Sequence, residues 1–229
     1  IEFRARNRRG EYIWLRCRGQ LMRDPEGAPA LFAGIMTPLG RQNKVDPLTQ
    51  LLNRSQFVND LNRMMKEDMV EQMAVMVLDV DSFRRINEVF DRKFGDQMLK
   101  DLGRIILGIL PGNAALYRME KDKMGVILEN GSAEECMELY RAIQKTLKNL
   151  REWRQNKVTV GISGGCAMYP ADGVTVDELC RYADYALQYA KSHGKNRLEI
   201  FSKQILEGKK RSLSLLYSLQ KAVIQDYEG

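Results

Sequence analysis

The sequence is poor in the residues that build disulfide frameworks and zinc sites. Its four cysteines, Cys17, Cys136, Cys166 and Cys180, show no C-x-x-C spacing, and the only histidine, His193, has no second histidine with which to share a zinc ion. We therefore expect reduced, structural thiols and a cytoplasmic location.

Long apolar runs are also missing. No stretch approaches the length of a membrane-spanning helix, and no signal peptide opens the chain. The first residue is Ile1 rather than Met and the opening IEFRAR already resembles a strand, so we expect a fragment of a longer protein. The 229 residues are 44% hydrophobic and 29% charged, which suits one or two globular domains with a substantial core.

Positive charge, which could indicate nucleic-acid binding, is confined to one end of the chain. The net charge is +6, but residues 1–45 hold nine Lys or Arg against four Asp or Glu and so account for +5 of it. No predicted helix carries a basic face interleaved with aromatic residues. We therefore expect no nucleic-acid partner.

Residues 1–41 are predicted to form three β-strands without a helix. The segment EYIWLRCRG alternates in polarity, turn signals stand at NRRG and DPEGAP, and ALFAGIM follows as a third strand. Three strands cannot close a core alone, which predicts the end of a domain whose beginning is absent. The pattern resembles the C-terminal strands of a PAS sensor domain, with an unrelated β-meander as the alternative.

Residues 42–203 alternate between strand and helix signals. In DPLTQLLNR, Asp46 and Pro47 suit the N-cap and first position of a helix. In SQFVNDLNRMMKE, one helical stripe holds Phe57, Leu61, Met64 and Met65. The continuous apolar run MAVMVLDV predicts a strand buried on both faces.

The later elements complete a recognisable order. After the helix GDQMLKDLGRIILGIL come a hairpin of LYRM and MGVIL, the helix SAEECMELYRAIQKTLKNLREW and the strand KVTVGISGGCAMYP. The helix TVDELCRYADYALQYAKSHG and the strand RLEIF follow. This order predicts an α+β fold with a ferredoxin-like βαββαβ core and one added helix and strand.

The hairpin turn has no glycine. Its residues Glu120, Lys121, Asp122 and Lys123 are all charged, although short hairpins favour Gly, Asn or Asp where φ is positive. In the predicted topology the strand that ends near Asp79 neighbours this hairpin, so Asp79 and Asp122 should converge. Two carboxylates suit Mg²⁺, an ion that protein carboxylates usually bind together with substrate phosphates. The turn is therefore either an ordinary solvated turn or an active-site turn whose chemistry has changed.

Several motifs in order resemble the GGDEF family, the diguanylate cyclase domains of bacterial signalling. DPLTQLLNR is similar to the family's D-P-L-T-G-L-x-N-R, and LDVDSFRRINEVFDRKFGDQML to its D-x-D-x-F-K-x-I-N-D…G-D-x-x-L. CAMYPADGVTVDELCRYADYALQYAKSHGKNR is similar to the closing A-x-Y-P-x-D-G…A-D-x-A-L-Y-x-A-K-x-x-G-R-N. The resemblance implies a nucleotide-cyclase palm-like domain that condenses two GTP molecules into cyclic di-GMP with Mg²⁺.

The resemblance also implies roles for individual residues. The implied metal ligands are Asp79, the Val80 carbonyl and Asp122. The implied guanine contacts are Asn87 and Asp96. The implied phosphate contacts are Arg84, Lys191 and Lys195. Without the resemblance, Asn87 and Lys191 would be interpreted as solvated surface residues.

The family signature R-x-G-G-D-E-F falls on RMEKDKM, from Arg118 to Met124, and departs from it. Glu120 and Lys121 replace the glycines, Asp122 keeps the first acid, and Lys123 replaces the second. A charged lysine can neither accept a proton nor bind Mg²⁺, although it could partly replace the charge of a metal. General-base assistance is typically worth ~10²–10⁴ in rate, so we expect lost cyclase activity.

Two further positions depart from the family. The product-binding motif R-x-x-D would fall on residues 111–114, which read PGNA, and Asp91 and Arg92 replace a usual G-H pair. Three hypotheses follow: a GTP-binding regulatory module without cyclase activity, a structural spacer or dimerisation module, or a residual cyclase. A homodimer through the PAS or the GGDEF part is expected.

The C-terminal segment 204–229 is predicted to be an amphipathic helix. Its apolar stripe consists of Leu213, Leu216, Leu219 (or Gln220), Val223 and Ile224. Because the sheet and its helices are already complete, this stripe has no evident place to pack. In the GGDEF family such a helix commonly leads into an EAL domain, a cyclic di-GMP phosphodiesterase, which we expect in the parent protein. The alternative is a helix that packs back on its own domain or on a dimer partner.

Overall fold

A computed structural model describes residues 2–6, 12–25, 27–38, 44–67, 70–149, 158–209 and 211. The chain divides into two compact units, Ile1–Lys44 and Val45–Gly229. Within the described ranges, no helix combines the length and the apolar composition needed to cross a membrane.

The first unit is an antiparallel β-meander, as predicted. Its strands are β1 (Glu2–Arg6), β2 (Tyr12–Arg23) and β3 (Pro29–Pro38), in the order β1-β2-β3. Large apolar side chains on β2 and β3 are exposed, among them Leu21, Met22, Ile35 and Met36. Exposed apolar side chains of this kind form a surface on which other residues can pack.

The second unit is a mixed sheet with helices on both faces. Its strands are β4 (Leu52–Asn53), β5 (Met73–Val80), β6 (Ala114–Arg118), β7 (Lys123–Glu129), β8 (Ile162–Tyr169) and β9 (Leu198–Ile200). Its helices are α1 (Arg54–Lys66), α2 (Phe83–Val89), α3 (Arg92–Leu107), α4 (Ala133–Asn149) and α5 (Val176–Ser192). The strand order β4-β6-β7-β5-β8-β9 confirms the ferredoxin-like core, formed by β5 to β8, with the predicted α5 and β9 appended and with β4 as a further strand at the opposite edge.

The central strand β5 divides the core into two layers. All eight of its residues are buried, as its continuous apolar run predicts. Alternate residues such as Met76 and Leu78 pack with α3 and α4, whereas Val75 and Val77 pack with α1 and α5. On α1, the stripe places Phe57, Leu61 and Met64 in the core, with Met65 packed at its edge.

The predicted helix at DPLTQLLNR is wrong. Asp46 does accept a hydrogen bond from Thr49 N (2.8 Å), but the helical geometry ends after one turn because Gln50 has a φ of +62°. Leu52 and Asn53 then pair in parallel with β6 as β4. Asn53 caps the next helix by accepting a hydrogen bond from Gln56 N (3.0 Å).

Two element boundaries also differ from the sequence prediction. Strand β8 begins at Ile162, and residues 158–161 precede it without strand structure. Helix α3 begins at Arg92 instead of Gly95, because the Asp91 carboxylate caps it by accepting a hydrogen bond from Phe94 N (2.7 Å).

The start of the C-terminal segment packs on its own domain. Residues 203–209 are helical, Ile205 is buried and Leu206 packs against the α5 side of the core. Lys209 Nζ donates a hydrogen bond to the Gln188 side chain of α5. The stripe from Leu213 to Ile224 lies outside the described residues.

Candidate functional site

The hairpin between β6 and β7 places its charged turn beside the end of β5. Asp79 is the register partner of Lys123 on the neighbouring strand, which confirms the predicted adjacency. The turn is closed by hydrogen bonds from Lys123 N to Glu120 O and from Met119 N to Lys123 O, both 3.0 Å. Lys121 has a φ of +55°, in the left-handed region that favours glycine. The turn thus keeps a left-handed backbone conformation at position 121, although the residue at that position is a lysine.

Two side chains of the turn form ion pairs with helices. Lys123 Nζ lies 2.6 Å from Asp184 Oδ1 on α5. Glu120 Oε1 lies 3.4 Å from Arg54 Nε on α1, and both of these side chains are largely exposed. Two of the residues that depart from the family signature, Glu120 and Lys123, therefore attach the turn to the helical layer formed by α1 and α5.

Asp79 is a buried carboxylate with a lysine in contact. Lys191 Nζ on α5 lies 2.5 Å from Asp79 Oδ1, as an ion pair. Burial raises the pKa of Asp79 above its ordinary value, Lys191 opposes this shift, and the charge of Asp122 adds to it. Asp79, Val80 and Asp122 border one small cavity. The predicted metal ligands are therefore neighbours.

These residues do not fit a divalent cation in this arrangement. Asp79 and Asp122 are the only carboxylates among the implied ligands, and Lys191 already contacts Asp79. No group of three or more acidic, histidine or cysteine side chains suited to a metal exists within the part of the chain that the structure describes. Mg²⁺ requires oxygen ligands in near-octahedral geometry, and the ammonium of Lys123 stands where the family has an acid.

A polar pocket lies on the other side of the turn. Its volume is about 450 Å³. It is lined by Asp46, Leu48, Phe83, Asn87, Arg92, Asp96, Leu99, Arg118, Met119 and Lys121. Asn87 Oδ1 is buried and has no hydrogen-bond partner. A buried polar atom without a partner is costly, so this oxygen points to a ligand that would supply the missing donor.

Gly95 makes room for the Asn87 side chain. A Cβ atom at position 95 would lie 1.9 Å from Asn87 Oδ1 and 3.0 Å from Phe83 Cζ. Because real Cβ contacts are longer, any larger residue would displace the Asn87 amide. The glycine therefore determines the shape of the pocket.

Arg118 is a pocket residue for which neither the motifs nor the family resemblance predicted a role. It is buried, and its Nη1 donates a hydrogen bond to Lys123 O (3.1 Å), which joins the base of the hairpin to the turn. Burial lowers the pKa of Arg118, and the nearby carboxylates of Asp46, Asp122 and Asp96 oppose that shift. Its position as the first residue of the family signature is the sequence feature that could have indicated a place at the site. In the sequence, Arg92 and Lys121 are only departures from the family pattern, yet both line the same pocket.

The implied phosphate contacts are dispersed. Lys191 contacts Asp79, as described above. Lys195 Nζ donates a hydrogen bond to Ser82 Oγ (3.3 Å). The side chain of Arg84 is 93% exposed and pairs with Glu88 (2.9 Å), outside the pocket lining. The structure therefore brings together Asn87 with Asp96, and Asp79 with Asp122 and Lys191, but leaves Arg84 apart.

Asp81, the second acid of the D-x-D motif, has a structural role. Its carboxylate accepts hydrogen bonds from Ser163 Oγ (2.6 Å) and from Asn196 N (2.9 Å). These bonds hold the loop after α5 against the sheet. Both oxygens have protein partners, so Asp81 is a poor candidate for ligand binding.

The fold and the site together define a palm domain of the nucleotide-cyclase type: a βαββαβ sheet with a charged hairpin turn between a carboxylate pair and a polar pocket. The family model described as the diguanylate cyclase, GGDEF domain, matches residues 43–197. Because this match covers more than half of the chain, the chain belongs to the GGDEF family.

The chain is similar to two proteins of Pseudomonas aeruginosa whose names refer to cyclic di-GMP. The chain is 26% identical over 200 residues to the bifunctional diguanylate cyclase/cyclic di-GMP phosphodiesterase MucR of Pseudomonas aeruginosa, covering 82% of this chain and 29% of MucR. It is 28% identical over 190 residues to the cyclic di-GMP phosphodiesterase NbdA of the same organism, covering 82% of this chain and 24% of NbdA. The chain thus spans about a quarter to a third of these two relatives.

A solved structure supports the same fold. The GGDEF domain of TpbB (YfiN) from Pseudomonas aeruginosa is 25% identical, with a TM-score of 0.67. The match covers 72% of this chain and 99% of that domain. The predicted α+β class is therefore confirmed.

Proposed function

We propose that this GGDEF domain binds GTP without condensing it to cyclic di-GMP, and that it acts as a regulatory module in a longer cyclic di-GMP signalling protein. The observation that carries this proposal is the pocket beside the turn. Its buried Asn87 Oδ1 lacks a donor, and Asp96 supplies a carboxylate in the same cavity. Guanine offers donors on its Watson–Crick edge, including the N2 amino group, that can satisfy both acceptors.

The loss of cyclase activity is proposed from the turn. Condensation requires a group that takes the proton of the attacking 3′-hydroxyl, and Lys123 is instead an ammonium paired with Asp184. Lys121 holds the backbone position that favours glycine, and its side chain lines the pocket that the nucleotide would enter. Two separate changes thus act against catalysis.

The test combines calorimetric GTP titration with a cyclic di-GMP assay on the same sample. We expect GTP binding without measurable product. Asn87→Ala and Asp96→Ala should weaken binding by about tenfold each, because each leaves guanine donors unpaired. Glu138→Gln, at an exposed residue of α4 away from the pocket, serves as the control. Unchanged GTP binding in both pocket variants would instead favour a spacer or dimerisation role.

Rescue of catalysis distinguishes the residual-cyclase alternative. Lys123→Glu restores the second acid but leaves Glu120 and Lys121 in the turn. We therefore expect no product from this single variant. Product above trace turnover from the wild type, or full rescue by Lys123→Glu, would contradict the proposed role of the turn.

We further propose that the domain lies between two others in the parent protein. The exposed apolar side chains of the first unit suit the remainder of a PAS sensor domain, to which we assign residues 1–41. The GGDEF domain is assigned to residues 42–203, and residues 204–229 to a linker toward an EAL domain. MucR and NbdA, whose names include phosphodiesterase, support this arrangement. Two measurements test this arrangement. The sequence of the parent gene shows whether the two domains are encoded, and an assay of the parent protein compares cyclic di-GMP hydrolysis with and without GTP.

A further inference from the structure

Four charged side chains form a continuous cluster between the sheet and α5, here called the charge ladder: Lys191, Asp79, Lys123 and Asp184. Asp79 and Lys123 are register partners on β5 and β7. Asp184 and Lys191 are seven residues apart on α5 and therefore project from the same face of that helix. The ion pairs Lys191–Asp79 (2.5 Å) and Lys123–Asp184 (2.6 Å) join α5 to the two strands β5 and β7.

The signs alternate along the charge ladder, so its formal net charge is zero. An acid at position 123 would change this sum to −2, which is the charge that one divalent cation neutralises. Lys123 therefore differs from the family acid by the charge of a magnesium ion. Asp122 adds one nearby carboxylate, which lies close enough to the buried Arg118 to oppose the burial-induced fall in its pKa.

Cations that could face phosphate groups are also present without a metal. Lys121 projects from the same turn and Arg92 begins α3, and both line the pocket that contains Asn87. Lysine ammonium groups are compact point charges that bind phosphate well. The positive charge near the proposed nucleotide is therefore supplied by side chains of this chain.

We propose that this domain neither binds nor requires a divalent cation, because Lys123 and Lys191 take over the electrostatic role of the metal. This inference rests on the proposed GTP site for its nucleotide part, whereas its metal part stands on the charge ladder alone. It predicts two separable behaviours: no site for free metal, and nucleotide affinity independent of metal.

The first experiment titrates Mn²⁺ alone into the full chain, followed by calorimetry and electron paramagnetic resonance. We expect no stoichiometric binding below about 1 mM in the wild type, and a gained site in Lys123→Glu with affinity at least about tenfold tighter. Lys203→Glu makes the same charge change at an exposed residue and should gain nothing. A stoichiometric wild-type site that Asp79→Asn removes would overturn the inference.

The second experiment compares GTP affinity in excess EDTA and in excess Mg²⁺. We expect dissociation constants that agree within about twofold for the wild type, and a loss of about tenfold or more in EDTA for Lys123→Glu. Wild-type binding that requires Mg²⁺ would overturn the inference. Absence of GTP binding in both buffers would overturn the proposed function instead, and the Mn²⁺ titration would still decide the question of the metal.

Discussion

Gly95→Ala should separate the stability of the domain from its ability to bind nucleotide. The added Cβ would lie 1.9 Å from Asn87 Oδ1, more than 1 Å inside the closest ordinary contact, so the Asn87 side chain must rotate away. The rotation breaks no hydrogen bond within the described structure, because that oxygen has no partner. The cost to folding is therefore steric and local.

The expected magnitudes follow from two opposing terms. Overpacking costs about 1–3 kcal/mol, whereas alanine is about 1 kcal/mol more favourable than glycine in a helix. The free energy of unfolding should therefore fall by about 0–2 kcal/mol. For a unit of this size, each kcal/mol lowers Tm by roughly 2–4 °C. If Asn87 is displaced, a guanine donor stays unpaired in the complex, which costs about 1–3 kcal/mol of binding free energy. GTP binding should therefore weaken by about tenfold or more.

The assay pairs a thermal melt with a calorimetric GTP titration, and Gly108→Ala provides the matched control. Gly108 follows α3, and a Cβ there would make only ordinary contacts at 3.5 Å. This control should keep wild-type GTP affinity. If Gly95→Ala also kept wild-type affinity while Asn87→Ala lost it, the argument that Gly95 shapes the pocket would be refuted.

Two further predictions concern backbone strain. Lys121→Gly should raise the free energy of unfolding by up to about 1.5 kcal/mol in urea titrations, because it relieves about 1–2 kcal/mol of left-handed strain and adds about 0.4–1 kcal/mol of chain entropy to the unfolded state. A less stable variant would contradict this. Asp91 has a φ of 143° and a ψ of 173°, a region that costs about 1–3 kcal/mol for residues other than glycine. Both Asp91→Gly and Asp91→Ala lose the side-chain cap of α3, and only the alanine keeps the strain, so Asp91→Gly should be the more stable of the two. The reverse order in urea titrations would contradict the strain assigned to this position.

The sequence predicted those parts of the fold that depend on local patterns. The continuous apolar run of β5 and the stripe on α1 each required burial on particular faces, and the structure confirms both. The segment at Asp46 shows the limit of such reasoning. Its capping signals are real, but the left-handed Gln50 and the pairing of β4 with β6 depend on tertiary structure.

The candidate site was predictable to a similar extent. The topology predicted that Asp79 would lie beside the turn, because strand order determines which chain ends are adjacent. The partners of the altered turn residues, Asp184 and Arg54, come from helices distant in sequence, and no spacing indicates such pairs. The burial of Arg118 likewise depends on how the hairpin packs, so its importance emerged only from the structure.

Helix α5 is held at two places by different parts of the molecule. One face carries Asp184 and Lys191, which bind the turn and the end of β5. Tyr185 and Gln188, on the same helix, contact Lys209 of the C-terminal helical residues. Because a single 17-residue helix makes both sets of contacts, the charged turn and the C-terminal helical residues 203–209 are connected to each other through α5.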